Sequence, residues 1–194
     1  MINNFLFIIP CFLAIAYSNT IYKKINSREI PKERATLGQA NDFKIFYYIL
    51  KVLMPIFLIL ALTPLGDSKL YFRIPTEAKT ATLLLLVFAQ VFFTQAVNAL
   101  GAQYSPCYDS KMPKEIIAKG PYEKIRHPIY TANILSLTSI AMLSQSYVIL
   151  ALSVIFTYFC IRSAKQEEQA LSKSLPTYKN YMNTTGMLFP KILF

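Results

Sequence analysis

The sequence predicts an all-α fold: a bundle of about five membrane-spanning helices, the last two forming a helical hairpin, with further helices on the cytoplasmic side. Three observations carry this expectation. Of 194 residues, 54% are hydrophobic and only 15% charged, outside the range of ordinary soluble domains. The apolar residues are gathered into long runs: 5–22 and 80–108 carry no charge, 43–63 carries only Lys44 and Lys51, and 128–161 is again uncharged. The basic residues, 20 against 10 acidic ones, fall mainly between those runs.

About 20 predominantly apolar residues cross a bilayer as a helix, so the first run predicts a span over roughly 3–22. Ala14-Ile15-Ala16 mimics the cleavage site of a secretory leader, but no basic stretch precedes the run, and we read it as a span. The second and third runs predict spans over roughly 43–63 and 80–103. The last run, of 34 residues, is too long for one ordinary span. Its single polar cluster, Ser144-Gln145-Ser146, predicts a tight turn between helices at roughly 129–143 and 147–163. The alternative is one tilted helix of about 50 Å, which would lack an obvious anchor.

Basic residues accumulate in cytoplasmic loops. Lys23, Lys24, Arg28, Lys32 and Arg34 follow the first run, and Lys111, Lys114, Lys119, Lys124 and Arg126 follow the third. Arg162, Lys165, Lys173, Lys179 and Lys191 follow the last, whereas 64–79 holds only Lys69, Arg73 and Lys79 and the hairpin turn holds none. Five spans then put the N-terminus outside and the C-terminus in the cytoplasm. The net charge of +10 reads as a topology signal plus attraction to anionic headgroups. It does not read as a nucleic-acid footprint, because no separate basic domain exists. The expected organisation is one integral membrane domain over 1–194, with three helices in 1–103 and the chemistry in 104–194.

Composition excludes several kinds of site. Five glycines with no close pair provide neither a dinucleotide fingerprint nor a P-loop. One histidine and three scattered cysteines offer no metal set, and no metal is expected. No G-x-S-x-G elbow is present. Two segments remain. In 116–133, His127-Pro128 marks a break where proline suits the first turn of a helix. Taken alone, His127 would read as a capping imidazole, and Tyr122 and Tyr130 as interfacial aromatics. In 162–190, Glu167 and Glu168 are the only carboxylates of the last 70 residues, on what would otherwise read as a solvated helix.

Taken in order, Ile116-Ile117, Gly120-Pro121-Tyr122, Arg126-His127-Pro128-Ile129-Tyr130, an uncharged hairpin, Glu167-Glu168-Gln169-Ala170-Leu171, Tyr178 with Tyr181, and Pro190 form a pattern. It resembles the C-terminal half of the isoprenylcysteine carboxyl methyltransferase family. The departures are Thr131-Ala132-Asn133 where the family often has glycine, Leu175-Pro176 where it commonly has Phe-Gly, and Ser163 in place of a basic residue, one position beyond Arg162. The resemblance implies S-adenosylmethionine as cofactor, bound between the last spans and the C-terminal helices. It implies that Ile116 and Ile117 flank the adenine and that Tyr122, His127, Pro128 and Tyr130 line the cofactor. Glu167, with Glu168 as second choice, would bind its ribose or ammonium, and Gln103 is a further candidate. Arg162 would pin the acceptor's carboxylate through a bidentate fork. The implied acceptor is a prenylated cysteine or another isoprenoid acid, drawn laterally from the membrane lipids. Membrane methyltransferases acting on phospholipid amines, and NADPH-dependent sterol reductases, share parts of the same arrangement.

Overall fold

Ser144-Gln145-Ser146 is a turn. The helix before it, Pro128–Ser144, stops where Gln145 enters the left-handed region at φ 57° and donates its backbone N–H to Met142. Ser146 then caps the next helix, Tyr147–Ser174, its hydroxyl accepting the Ile149 N–H at 3.4 Å. A left-handed residue followed by an extended one breaks the rod, so the last apolar run is two helices rather than one. The structure, a computed structural model, describes residues 2–26, 41–63, 69–107, 110–113 and 115–191. Arg28, Lys32, Arg34 and Lys114, which contribute to the expected orientation, lie outside the described residues.

We number the helices in chain order: α1 Ile2–Asn26, α2 Asn41–Leu60, α3 Thr76–Leu100, α4 Pro128–Ser144, α5 Tyr147–Ser174 and α6 Tyr178–Thr184. Short 3-10 turns occupy Gly101–Gln103 and Gly120–Glu123. Among the described residues the architecture is all-helical, with only isolated bridges besides. Leu6–Lys24, Asn41–Leu60, Thr76–Gln103 and Tyr147–Ser174 are long and apolar enough to cross a membrane. α4, with 17 residues, is about 25 Å long, slightly less than the ~30 Å hydrocarbon core. Large apolar side chains point outward from all four long helices, among them Leu13, Ile49, Val52, Leu84, Phe88 and Val154. Such a belt would promote aggregation in water but is the ordinary lipid-facing surface of an integral membrane protein.

Two boundaries differ from expectation for identifiable reasons. α3 begins at Thr76, directly after Pro75, and ends at Gly101, whose φ of 54° suits glycine. α5 runs eleven residues past the expected end at 163. Nothing between Tyr147 and Ser174 breaks a helix, and 162–174 is rich in strong helix formers. It stops at Leu175, which is extended because Pro176 follows it. The first cytoplasmic helix expected after the hairpin is therefore a continuation of α5.

α4 sits at the centre. Its apolar residues are spread around the whole circumference rather than along one face, which suits a helix surrounded by protein, and it buries eleven of its 17 residues. α3 and α5 flank it. α2 packs on α5 through Phe43, stacked on Phe159 at 5.2 Å and edge-on to Phe156 at 5.9 Å. At one end the α2–α3 connection is tied to the hairpin turn, with Phe72 N–H donating to Gln145 O at 2.8 Å and Tyr147 N–H to Leu70 O at 3.0 Å. At the other end, residues after α6 strap onto the start of α4. Gly186 N–H donates to Lys124 O at 3.1 Å, Arg126 N–H to Gly186 O at 2.8 Å and His127 N–H to Met187 O at 3.0 Å. The Thr131 hydroxyl donates to Leu188 O at 2.7 Å.

Candidate active site

At the strapped end, a cavity of about 120 Å³ lies among the end of α3, the start of α4, the extension of α5, and α6. Glu167 and Glu168 are neighbours on α5, so their side chains diverge by about 100° around the helix. Glu167 lines the cavity and accepts a hydrogen bond from the Tyr130 hydroxyl. Glu168 turns away and takes the Arg126 guanidinium, Nε to Oε1 at 2.6 Å. His127 is wedged between the two, with Nδ1 3.5 Å from Glu167 Oε2 and Nε2 3.2 Å from Glu168 Oε1. Of the two contacts only that from Nε2 to Glu168 is a hydrogen bond, made by the tautomer that carries its proton on Nε2. All three side chains are nearly inaccessible, and charges buried to this degree persist only when paired.

Arg126 does more than neutralise Glu168. Its Nη1 also donates to the carbonyls of Met182, at 3.3 Å, and Thr185. One guanidinium thus joins the start of α4, the extension of α5 and the C-terminal strap. Gly186 closes that strap. A Cβ there would lie 1.7 Å from the Phe189 carbonyl oxygen, so glycine is needed for close approach. The His127 backbone carbonyl accepts the Thr131 N–H at 3.1 Å, closing the first turn of α4, and Pro128 occupies the first helical position.

The rest of the lining separates into apolar and phenolic surfaces. Leu100, Ile116 and Ile117 form one side, and Tyr122, Tyr178 and Tyr181 another. The Tyr181 hydroxyl donates to the Tyr122 carbonyl at 2.6 Å, fastening α6 to the Gly120–Glu123 turn. Burial is the main cause that raises the pKa of each of these phenols, with Tyr181 pushed up to about 12. The Cys107 thiol is pushed up to about 12 by burial and, secondarily, by the Glu167 charge. All four groups stay protonated near neutral pH.

Of the residues singled out in the sequence, Gln103, Ile116, Ile117, Tyr122, His127, Tyr130 and Glu167 line this one cavity. Pro128 and Glu168 stand behind it, one in the helix start and the other in the ion pair with Arg126. Arg162 is elsewhere: its guanidinium donates to Asp42 at 2.6 Å, tying α5 to the start of α2 at an exposed position. Arg126, Tyr178 and Tyr181 belong to the quoted pattern without an assigned role, and the structure brings them to the site. Cys107, Ser110 and Lys111 complete the lining from an irregular segment that carries no periodic signal.

Residues 78–177 match the family model described as phospholipid methyltransferase. Among curated proteins, the chain is similar to the nickel-cobalt-cadmium resistance protein NccN of Alcaligenes xylosoxydans xylosoxydans, 27% identical over 79 residues, 40% of this chain and 37% of that protein. It is also similar to the cobalt-zinc-cadmium resistance protein CzcN of Cupriavidus metallidurans, 26% identical over 78 residues, 40% of this chain and 36% of that one. The matched stretch thus spans a little over a third of each relative. The family match extends from the first turn of α3 to just past α5, taking in α4, both glutamates and Arg126. With just over half of its residues matched, the chain belongs to the phospholipid methyltransferase family, as an integral membrane member.

Proposed function

We propose that the chain transfers a methyl group from S-adenosylmethionine to the carboxylate of a prenylated cysteine, at the cytoplasmic end of the bundle. The donor set at the cavity suits such a cofactor. Glu167, fixed by Tyr130, is an acceptor and counter-charge for its ammonium or ribose hydroxyls. Ile116, Ile117 and Leu100 offer an apolar wall for adenine, and Gln103 and Tyr122 complete the expected set. A cavity of about 120 Å³ is smaller than the ~300–1,000 Å³ usual for small-molecule pockets. The wall carrying Ser105, Cys107, Ser110 and Lys111 is irregular rather than helical, and it is the side that has to yield on binding. When bound, the cofactor supplies an electrophilic methyl on a sulfonium.

One observation carries the preference for a carboxylate acceptor: the buried ionisable groups of the site are either committed or held protonated, with Glu115 exposed at its edge. Glu168 is committed to Arg126, Glu167 to Tyr130, and His127 lies between them. Cys107, Tyr122, Tyr178 and Tyr181 keep their protons. A site built this way orients its reactants and excludes water, and orientation alone contributes up to about 7–11 kcal/mol of barrier lowering. A carboxylate, ionised above about pH 4, needs no proton removed. An ammonium acceptor would.

A second reading, methylation of a phospholipid amine, is favoured by the description of the matching family and by Glu115, a second carboxylate in the lining of the cavity. The cytoplasmic placement rests on the basic residues that follow the first, third and last apolar runs, among them Lys23 and Lys24 in the last turn of α1 and Lys119 and Lys124 beside Tyr122. The test is methyl transfer from labelled S-adenosylmethionine to a farnesylated cysteine analogue and, separately, to phosphatidylethanolamine. Label released by base as volatile methanol supports the ester. Base-stable label on the lipid amine supports the second reading and contradicts the first.

A further inference from the structure

A second and larger cavity, of about 510 Å³, opens among α1 to α5, with Lys23 and Lys51 exposed at it. Only one strip of backbone separates it from the first. After α3 the side chains alternate: Gln103 and Ser105 line the first cavity, Tyr104 and Pro106 the second, and Cys107 lines both. The second cavity is largely apolar, yet two of its described lining residues are lysines, Lys23 and Lys51, and none is acidic. Lys51 stands ten residues into α2, about 15 Å along its axis. That is a costly position for an ammonium in a membrane span, and one that usually marks function. Its Nζ lies 4.9 Å from the centroid of the Tyr47 ring, and it has no ion-pair partner among the described residues.

Deepening the proposed function, on which it rests, we infer that this second cavity seats the methyl acceptor, an amphiphile with one apolar chain and a carboxylate, and that Lys51 holds the carboxylate. Net positive lining with no acidic side chain selects an anion over an ammonium. The volume is that of a site for one small ligand. Cys107, common to both cavities, marks where the acceptor's head meets the first. Arg162 pairs with Asp42 on the outside of the bundle, and Lys51 and Lys23, both exposed, are the cations that line this cavity. Lys51 is thereby a residue that positions and selects the acceptor. It plays no part in holding the cofactor.

The test is equilibrium binding of N-acetyl-S-farnesylcysteine and its carboxamide to the full chain in phosphatidylcholine nanodiscs, comparing wild type with Lys51→Met, Lys51→Arg and Lys44→Met. Lys44 lies two turns from Lys51 on the same helix and does not line the cavity. Lys51→Met is expected to weaken the acid by at least about tenfold while leaving the carboxamide within about twofold. Lys51→Arg should retain the acid, and Lys44→Met should bind both as wild type does. Absence of saturable acid binding in the wild type overturns the inference. So does equal acid binding by Lys51→Met, or an equal loss for acid and carboxamide, which would indicate packing. Adding labelled cofactor to the same preparations separates the two claims. Lys51-dependent binding of the acid without base-labile methyl ester removes the carboxyl methylation reading and leaves the site. An ester formed with unchanged KM in Lys51→Met removes the site and leaves the reading.

Discussion

α4 and α2 belong to the same bundle and are built on opposite terms. α4 buries eleven of its 17 residues, with His127 immediately before it and Tyr130 in its first turn. α2 buries three of its 20, Phe43, Leu50 and Leu58, and presents Ile45, Ile49, Val52, Ile56 and Ile59 outward. At the start of α4 the ionisable groups are nearly inaccessible and linked in one chain: Tyr130 to Glu167, His127 between the glutamates, Glu168 to Arg126, Arg126 to the strap. α2 makes its one described ion pair, Asp42 to Arg162, in the open. A buried, fully partnered network fixes positions and loses them together when one member goes. A lipid-facing helix can shift without moving that network. The geometry of the first cavity therefore depends on the second half of the chain, and α1 and α2 contribute to the lining of the second.

The sharpest way to break this contrast is Arg126→Ala. Removing one partner of a buried ion pair costs about 3–5 kcal/mol, and here the strap loses its bonds as well. Methyl transfer should fall at least about a hundredfold, and Arg126→Lys should not restore it, because a compact ammonium does not place donors where Nε and Nη1 of the planar guanidinium do. Tyr130→Phe comes next. It deletes the donor to Glu167, and a hydrogen bond to a charged group is worth about 1.5–3 kcal/mol. Cofactor affinity by titration calorimetry should drop by roughly ten- to a hundredfold, with the fold retained by circular dichroism.

Gly186→Ala forces the strap to move away from Phe189, since the new Cβ has no space. Activity should fall about tenfold, the scale of an ordinary destabilising substitution of 1–2 kcal/mol. On the other side of the comparison, Phe43→Ala removes a stacked ring and should lower thermal stability by roughly 3 kcal/mol or more, while the cofactor Kd stays within about twofold. A matching loss of cofactor affinity would mean that α2 is coupled to the site after all. Arg162→Gln should do least, under about threefold on kcat/KM, because exposed ion pairs contribute little. A hundredfold loss would return Arg162 to the role of carboxylate holder that the family resemblance implies.

Those contrasts follow how the molecule could be read from its residues. Long uncharged runs bounded by lysines and arginines delimit helices because the bilayer demands them, and α1 to α4 fall within a few residues of expectation. The hairpin was legible because three polar residues in an apolar run have few other uses. The end of α5 was not, since 162–174 looks like a surface helix and only Pro176 stops it. Within the site, the R-H-P-x-Y and E-E-x-x-L strings mark the residues that share the first cavity. Their partners are less visible. Arg126 reaches Glu168 across 42 positions and Arg162 reaches Asp42 across 120, and pairing at that distance leaves no local pattern. The strap at 185–188 is likewise a non-local backbone contact, signalled in the sequence only by a late glycine. Lys51 was visible as an exception within its run, but its surroundings came only with the fold.

The most direct measurement is an S-adenosylmethionine binding isotherm on the purified chain in nanodiscs, for wild type, Glu167→Ala and His127→Ala, with thermal midpoints recorded alongside. Expected is saturable one-site binding to the wild type, weakened at least about tenfold in both variants, with the helical fold intact. Glu167→Ala and His127→Ala proteins that fold and bind as tightly as wild type would contradict the assignment of this cavity to the cofactor.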